Sequence, residues 1–221
     1  MSGTIIVTGA AGALGRGVAE RLAAEGWDIV AVDHIHALPA CAKQHLGGVD
    51  LTDEAATERA FATLDAPDGI QGLVNIAGGF AWEKIVEGSK ATWDRLYALN
   101  LATALNASKA AIPLLRRGGA IVNIGAAAAA KAEMGMGAYA ASKSAVARLT
   151  EALAAELKGE GIRVNAILPS IIDTPANRKD MPEADFAKWV TVPELAEAIA
   201  FLLSDRASGI TGAAIPVTGR V

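Results

Sequence analysis

The chain lacks most of the features that would tie it to a surface or to an oxidising compartment. Its single cysteine, Cys41, excludes an intrachain disulfide and points to a reducing, cytoplasmic setting. Neither sign of charge accumulates: the net charge is -4, and the lysines and arginines are scattered rather than massed. No nucleic-acid or membrane partner is expected. The opening Met1-Ser2-Gly3-Thr4-Ile5 has no basic stretch leading into an apolar one, and the chain has no run of about eighteen apolar residues to span a bilayer. Internal repeats and disordered linkers are missing, and no metal site is expected. One further absence is local, because no serine or threonine lies between Asn123 and Tyr139.

What is present is apolar material in quantity. With 221 residues, 52% of them hydrophobic, the chain is long enough to bury a large core and short enough to form one domain over residues 1–221. Short β-branched runs recur at residues 4–7, 28–32, 70–76, 120–124, 162–168 and 213–217, most of them separated by alanine- and leucine-rich stretches of helical period. These runs are nearly continuous in apolar residues, as strands covered on both faces must be. The alternation predicts βαβ units, a mostly parallel sheet and a layered α/β sandwich. Local punctuation agrees: Thr191-Val192-Pro193-Glu194 has the form of a capping box, and Gly159 and Gly161 end the helix that carries Lys143.

Directly after the first run stands Thr8-Gly9-Ala10-Ala11-Gly12-Ala13-Leu14-Gly15, followed by an amphipathic stretch. Glycines at a strand-to-helix turn let backbone approach a pyrophosphate, whose charge the helix N-terminus favours. Gly9, Gly12, Ala13, Leu14 and Gly15 are therefore candidate dinucleotide contacts. Asp33 closes the second run, where a carboxylate accepts hydrogen bonds from ribose hydroxyls and repels a 2′-phosphate. At about 4 Å and an effective dielectric near 20 that repulsion is on the order of 4 kcal/mol per unit charge. NAD(H) is preferred on this ground. Arg16, His34 and His36 offer positive charge nearby, which leaves NADP(H) open.

At the other end of the chemistry, Tyr139 and Lys143 lie four residues apart in Gly137-Ala138-Tyr139-Ala140-Ala141-Ser142-Lys143. On a helix that spacing puts phenol and ammonium on one face, where the cation favours phenolate. A phenol with a pKa near 10 needs such help to exchange protons at neutral pH.

Taken in order, Thr8 to Gly15, Asp50, Asn75-Ile76-Ala77-Gly78, Asn100, Tyr139 to Lys143 and Pro169-Ser170-Ile171-Ile172-Asp173-Thr174 resemble the short-chain dehydrogenase/reductase family over essentially the whole chain. The resemblance implies an α/β single-domain, Rossmann-type three-layer sandwich with a doubly wound, mostly parallel sheet of about seven strands. It implies an NAD(P)-dependent oxidoreductase acting on a small-molecule substrate. Tyr139 would be its general acid/base, Lys143 the residue that lowers the tyrosine pKa and binds the nicotinamide ribose, and Asn100 a support for a proton relay. Further dinucleotide contacts fall on Asp50, Leu51, Ala77, Gly78, Gly79, Pro169, Ile172 and Thr174. The family also implies a homodimer or homotetramer, built through the helices near 98–115 and 139–158.

This chain departs from the family pattern at Ala13 and Ser170, where glycine is usual, and at Ala126, where a substrate-orienting serine is usual. Loss of an oxyanion donor typically lowers rate by about 10²–10³. One branch does without that serine, the dihydropteridine reductases, and residues 173–189 resemble it, as do Gly12 to Gly15 and Ala77-Gly78-Gly79. That resemblance implies reduction of quinonoid dihydropterin or a similar flat acceptor, with Phe80, Trp82, Ala126 and Trp189 as candidate substrate contacts. Residues 175–190 would form a lid anchored by Met181, Phe186 and Trp189. The alternatives are a conventional alcohol/carbonyl member, for example of 3-oxoacyl type, with an atypical site, or a non-catalytic NAD-binding regulator. Asp33 generates a direct test, the ratio of catalytic efficiencies with NADH and NADPH. NADH is expected to win by two to three powers of ten, on the order of the repulsion above, and a clear NADPH preference would overturn the assignment.

Overall fold

The structure is a computed structural model that describes residues 3–221; Met1 and Ser2, part of the opening in which no leader was read, lie outside the described residues. Its strands are β1 (Thr4–Thr8), β2 (Asp28–Asp33), β3 (Gln44–Gly47), β4 (Ile70–Asn75), β5 (Leu115–Ile124), β6 (Arg163–Pro169), β7 (Ile172–Asp173), β8 (Val190–Thr191) and β9 (Ala214–Val217). The helices are α1 (Ala13–Ala24), α2 (Glu54–Phe61), α3 (Lys90–Tyr97), α4 (Thr103–Ala111), α5 (Gly137–Leu157), α6 (Pro175–Asp180) and α7 (Val192–Leu203). Seven strands form one sheet in the order β3-β2-β1-β4-β5-β6-β9, and every pairing is parallel. This is the Rossmann-type α/β arrangement. Because β1 pairs with both β2 and β4, the chain reverses its lateral direction there and leaves a crevice at the carboxyl ends of β1 and β4.

Alternate residues of each strand face opposite helical layers. Ile5 and Val7 pack with Leu14, Val18 and Leu22 of α1 and with Leu195 and Ile199 of α7. Ile6, Val30 and Val32 pack on the other face with Phe61, Ala107, Leu153 and Leu157. Each such side chain contributes roughly 1.5–3 kcal/mol when fully buried, which explains why near-continuous apolar runs become central strands here. Gly17 lets α1 and α7 close up, since a Cβ there would stand 2.3 Å from Val192 Cγ1. At the start of α7 the capping box forms as read: Thr191 accepts from the Glu194 amide, and the Glu194 carboxylate accepts from the Thr191 amide at 2.8 Å.

Polar side chains tie layers together below the crevice. Asn75 Nδ2 donates to Asn123 Oδ1 at 2.9 Å and to Ser108 Oγ at 3.1 Å, and Asn123 Nδ2 donates to Thr150 Oγ1 at 2.9 Å. The chain of bonds joins β4, β5, α4 and α5 in a setting where an unmade bond would be expensive.

Three features differ from the sequence reading. β3 has only Gln44-His45-Leu46-Gly47, with no β-branched residue, and it exists because β2 offers it an edge to pair with. The helical stretch near 98–115 starts earlier and is irregular: the backbone stays helical from α3 through a π turn at Ala98–Ala102 into α4, and β5 already begins at Leu115. Of the two glycines past α5, Gly161 stops the chain with φ 72°, whereas Gly159 lies inside a short 3-10 turn. Among the described residues no helix is long and apolar enough to cross a membrane, and no group of three or more His, Cys, Asp and Glu could hold a metal ion.

Arg163 closes the far end of α7. Its buried guanidinium donates to the carbonyls of Leu202 at 2.6 Å, Leu203 at 3.2 Å, Ser204 at 3.2 Å and Ala207 at 3.3 Å, supplying partners that the last helical turn cannot provide for itself. Arg163→Met is expected to lower unfolding stability by about 2–4 kcal/mol in a urea titration. An unchanged midpoint would mean that water serves those carbonyls equally well.

Candidate active site

The glycine-rich turn between β1 and α1 forms one wall of the crevice, and its three glycines are needed for different reasons. Gly9 has φ +66°, and a Cβ on it would lie 2.7 Å from the Ala77 nitrogen; a Cβ on Gly15 would lie 2.1 Å from the Gly9 oxygen. Both are required by the protein's own packing. Gly12 has φ -72° and would bring a Cβ no nearer than 3.4 Å to the Gly9 oxygen, so the fold itself tolerates a side chain there. The bare backbone at Gly12 therefore matters to what approaches from outside. As the N-cap of α1, Gly12 offers no side-chain acceptor, and the first-turn N–H groups at Ala13 and Leu14 remain available to an anion.

Asp33 ends β2 against this turn. Its Oδ2 accepts from the Ala11 amide at 2.9 Å, its Oδ1 accepts from the Ile35 amide at 3.1 Å, and His34 Nδ1 lies 2.8 Å from Oδ1. Arg16 straps the same corner, donating from Nε to the Ala11 carbonyl at 2.9 Å and from Nη2 to the Ala37 carbonyl at 2.6 Å. The carboxylate is thus held in one orientation, with remaining lone pairs for a ribose. Asp50 instead serves its own turn, accepting from the Thr52 amide at 2.9 Å and hydroxyl at 2.7 Å, bonds that hold its carboxyl below the usual range. Leu51 is buried, and its carbonyl accepts from Asn106 at 3.0 Å.

Thr8 joins the two strand ends that frame the crevice: its Oγ1 accepts from the Ile76 amide at 3.1 Å and the Ala77 amide at 3.3 Å. Immediately beyond, a Cβ on Gly78 would meet Asn100 Oδ1 at 2.6 Å and Lys143 Nζ at 3.4 Å, so the Gly78 backbone lies against both side chains. Asn100 sits in the π turn, 1% exposed, and pairs with Gly79 twice, accepting from its amide at 2.9 Å and donating to its carbonyl at 3.0 Å. Its second N–H goes to Ser142 Oγ at 3.0 Å, and Ser142 Oγ donates to the Tyr139 carbonyl at 2.8 Å. The Asn100 amide is therefore fully engaged by protein groups, and its side chain holds neighbouring backbone in place. Ser142 went unassigned in the sequence reading; nothing but its place in the Tyr139–Lys143 stretch pointed to it.

Lys143 is buried and donates to the Ile124 carbonyl at 2.8 Å. Burial pushes its ammonium down to about 8 and pushes the Tyr139 phenol up to about 12. The expected stabilisation of phenolate by the neighbouring cation is thus not what governs the protein alone; removal from water disfavours the charged form of both groups.

The outer wall is aromatic. Phe80 meets the Tyr139 ring edge-on, with centroids 5.0 Å apart and planes at 77°, and it remains 57% exposed. Trp82 is 55% exposed and lies over Gly135, where an added Cβ would fall 2.1 Å from the ring, while the Glu83 amide donates to the Gly135 carbonyl at 2.9 Å. The loops after β4 and β5 are strapped together by these contacts. Ala126 is buried just beyond β5 and presents no hydrogen-bonding side chain; Ser144, later on α5, spends its hydroxyl on the Ala129 carbonyl at 2.8 Å.

Residues 175–190 fold against the rest through several fixed contacts. β7 pairs with β8, Arg178 forms a two-pronged pair with Asp173 at 2.5 and 2.7 Å, and its guanidinium stacks 4.8 Å over Phe186. Thr174 caps α6 by accepting from the Asn177 amide at 3.2 Å, and the Ile172 carbonyl accepts from Asn177 Nδ2 at 2.8 Å. Pro169 ends β6 beside Val217. Trp189 is only 3% exposed and packs 4.8 Å from Phe186, which corrects its placement among the substrate contacts: it anchors the segment and leaves almost no surface for a ligand.

Comparison with known proteins bears on this arrangement. Residues 9–219 match a family described as Enoyl-(Acyl carrier protein) reductase. The 2-(S)-hydroxypropyl-CoM dehydrogenase 3 of Xanthobacter autotrophicus is 31% identical over 97% of this chain and 94% of its own length. Human L-xylulose reductase is 34% identical, again over 97% of this chain and 94% of its own. The ligand-free structure of Thermoplasma acidophilum aldohexose dehydrogenase superposes with a TM-score of 0.89 at 32% identity, covering 99% of this chain and 93% of that one.

Buried Lys143 and half-buried Tyr139 give opposite stability signatures. Lys143 is depressed from 10.5 to about 8, so between those values the unfolded chain binds more protons and stability rises with pH. Tyr139 is raised from 10.0 to about 12, so its contribution falls over that higher window. Relative to Lys143→Met, the wild type is expected to gain up to about 3 kcal/mol between pH 8 and 10 in chemical denaturation. A difference that stays flat over that range would show that the ammonium is not desolvated.

Proposed function

Because the chain belongs to the short-chain dehydrogenase/reductase family, whose members matched above are named dehydrogenases and reductases, we propose that Tyr139 is the acid/base of a reversible secondary alcohol–carbonyl interconversion. The family makes the protein an NAD(P)-dependent oxidoreductase; the roles of individual residues are our reading. One observation carries it: Tyr139 and Lys143 stand in the first turns of α5, Lys143 Nζ comes within 3.4 Å of a Cβ position on Gly78, just past the strand that flanks the glycine-rich turn, and the Tyr139 ring packs against the exposed Phe80.

The chain fits a dinucleotide through the bare backbone at Gly12, the free first-turn amides of α1 and the held carboxylate of Asp33, which favours NAD(H) over NADP(H). A bound nicotinamide would supply or take up the hydride and, when oxidised, place a positive charge in the crevice. In the reducing direction Tyr139 would give its hydroxyl proton to the oxygen of the substrate and recover it from solvent. Lys143 keeps a positive charge beside that proton transfer, and Phe80 shields the Tyr139 ring from water on one side. A homodimer or homotetramer through α4 and α5, in a cytoplasmic setting, completes the proposal.

A second reading rests on Ala126 and Phe80. With no hydroxyl at Ala126 to hold a carbonyl oxygen, and with an exposed aromatic face beside Tyr139, the site suits a flat conjugated acceptor such as quinonoid dihydropterin or a quinone. NADH oxidation with a panel of ketones, quinones and quinonoid dihydropterin separates the two. Tyr139→Phe is expected to lower turnover at least a hundredfold on any acceptor. Ala126→Ser is expected to raise ketone turnover by about tenfold or more. Ketone reduction indifferent to Ala126→Ser would show that another group already supplies the donor, and tight NADH binding without turnover on anything would leave a nucleotide-binding regulator.

A further inference from the structure

Ser142 occupies a position that neither nucleotide binding nor proton transfer requires, yet its hydroxyl is used twice. It is buried in α5, accepts from Asn100 Nδ2 at 3.0 Å and donates to the Tyr139 carbonyl at 2.8 Å. A serine in a helix commonly makes the second kind of bond, back to the preceding turn, and needs no partner for it. The first kind is the unusual one, because it comes from an amide that is itself paired at both ends with Gly79, at 2.9 and 3.0 Å. One asparagine side chain thereby connects the turn after β4 to the first turn of α5.

We propose that Ser142 is a positioning residue that couples the Gly78–Gly79 turn to the placement of Tyr139. The proposal rests on the reading above for its catalytic consequence, but the coupling itself is a property of the protein. Without the hydroxyl, an N–H of Asn100 would be left unpaired at 1% exposure, a loss that rotation of the amide can relieve only by giving up its bonds to Gly79. The Gly78 backbone, which lies against Asn100 and Lys143, would then lose its fixed distance from α5. A shift of this kind at the wall of a reacting site is costly in rate even though the shifted residue touches no reactant.

The test compares Ser142→Ala and Ser142→Thr with the wild-type full chain, reading amide hydrogen exchange by mass spectrometry together with kinetics. Ser142→Ala is expected to speed exchange in both 76–84 and 137–145, two segments far apart in sequence, and to lower kcat about tenfold with the best acceptor. Ser142→Thr, which keeps the hydroxyl, is expected to restore both. Faster exchange confined to 137–145, or unchanged kcat beside faster exchange in both segments, would overturn the proposal. Should the wild type turn over no acceptor, the reading of the function fails, while the exchange pattern still decides whether Ser142 couples the two segments. If Ser142→Ala does not fold, Ser142→Cys, whose thiol is a weak donor and acceptor, makes the same comparison.

Discussion

The arrangement depends on how closely two backbones pass at the carboxyl ends of β1 and β4. Gly9 lies so near Ala77 that a Cβ would stand 2.7 Å from its nitrogen, and the Thr8 hydroxyl accepts from the two amides that begin the next turn. The sheet order produces this seam, since β1 is the strand with neighbours from both halves of the chain. Once the seam is closed, the nucleotide turn, the Ala77–Gly79 turn and the first turns of α5 have nowhere else to go. Side chains at Gly9 or Gly15 would force them apart; one at Gly12 would not, so selection at the three positions has different physical grounds.

Burial then sets the electrostatic character of the site. Lys143 is buried and Tyr139 half-buried, and loss of water pushes each toward its neutral form, the phenol to about 12 and the ammonium to about 8. A pair read in isolation suggests mutual stabilisation of opposite charges, whereas desolvation is what shifts both groups in the protein alone. The Ile124 carbonyl keeps the lysine head oriented, and the oxidised nicotinamide of the proposed reaction would bring a further positive charge toward the phenol. Catalytic readiness is on this view a property of the protein with its dinucleotide, not of the two side chains.

Neighbouring polar groups show how little of the site is loosely held. Asn100 uses its carbonyl and both amide hydrogens on Gly79 and Ser142; one layer deeper the amide nitrogens of Asn75 and Asn123 reach Ser108 and Thr150, while the buried Asn75 carbonyl oxygen has no partner among the described residues. By contrast Phe80 and Trp82 keep more than half of their surface exposed, at 57% and 55%. On the proposed function, the rigid part of the site would handle the groups common to the reaction, and the open aromatic rim would meet whatever differs between substrates. That division follows from position: the rigid groups sit at strand ends and helix starts, the rim on loops.

Much of the architecture could be read in the chain because it depends on local periodicity and turn chemistry. Continuous apolar runs marked the central strands, Thr191 to Glu194 marked the start of α7, and the glycine turn announced where the crevice would open. β3 escaped notice, since a four-residue strand without β-branched side chains draws its stability from pairing with β2 and not from its own residues. The π turn around Asn100 depends on more than its own residues: an asparagine amide bonded to Gly79 and Ser142 stabilises a local irregularity through partners distant in sequence. Trp189 carries two readings by resemblance, lid anchor and substrate contact, and its burial against Phe186 agrees with the first. The sequence by itself determined which residues could bind a dinucleotide and move a proton, because those capacities belong to side-chain chemistry and short spacing. Tertiary structure alone decided how the residues are charged, which hydroxyls are already spent and which aromatic faces stay open, because each depends on burial by segments far away along the chain.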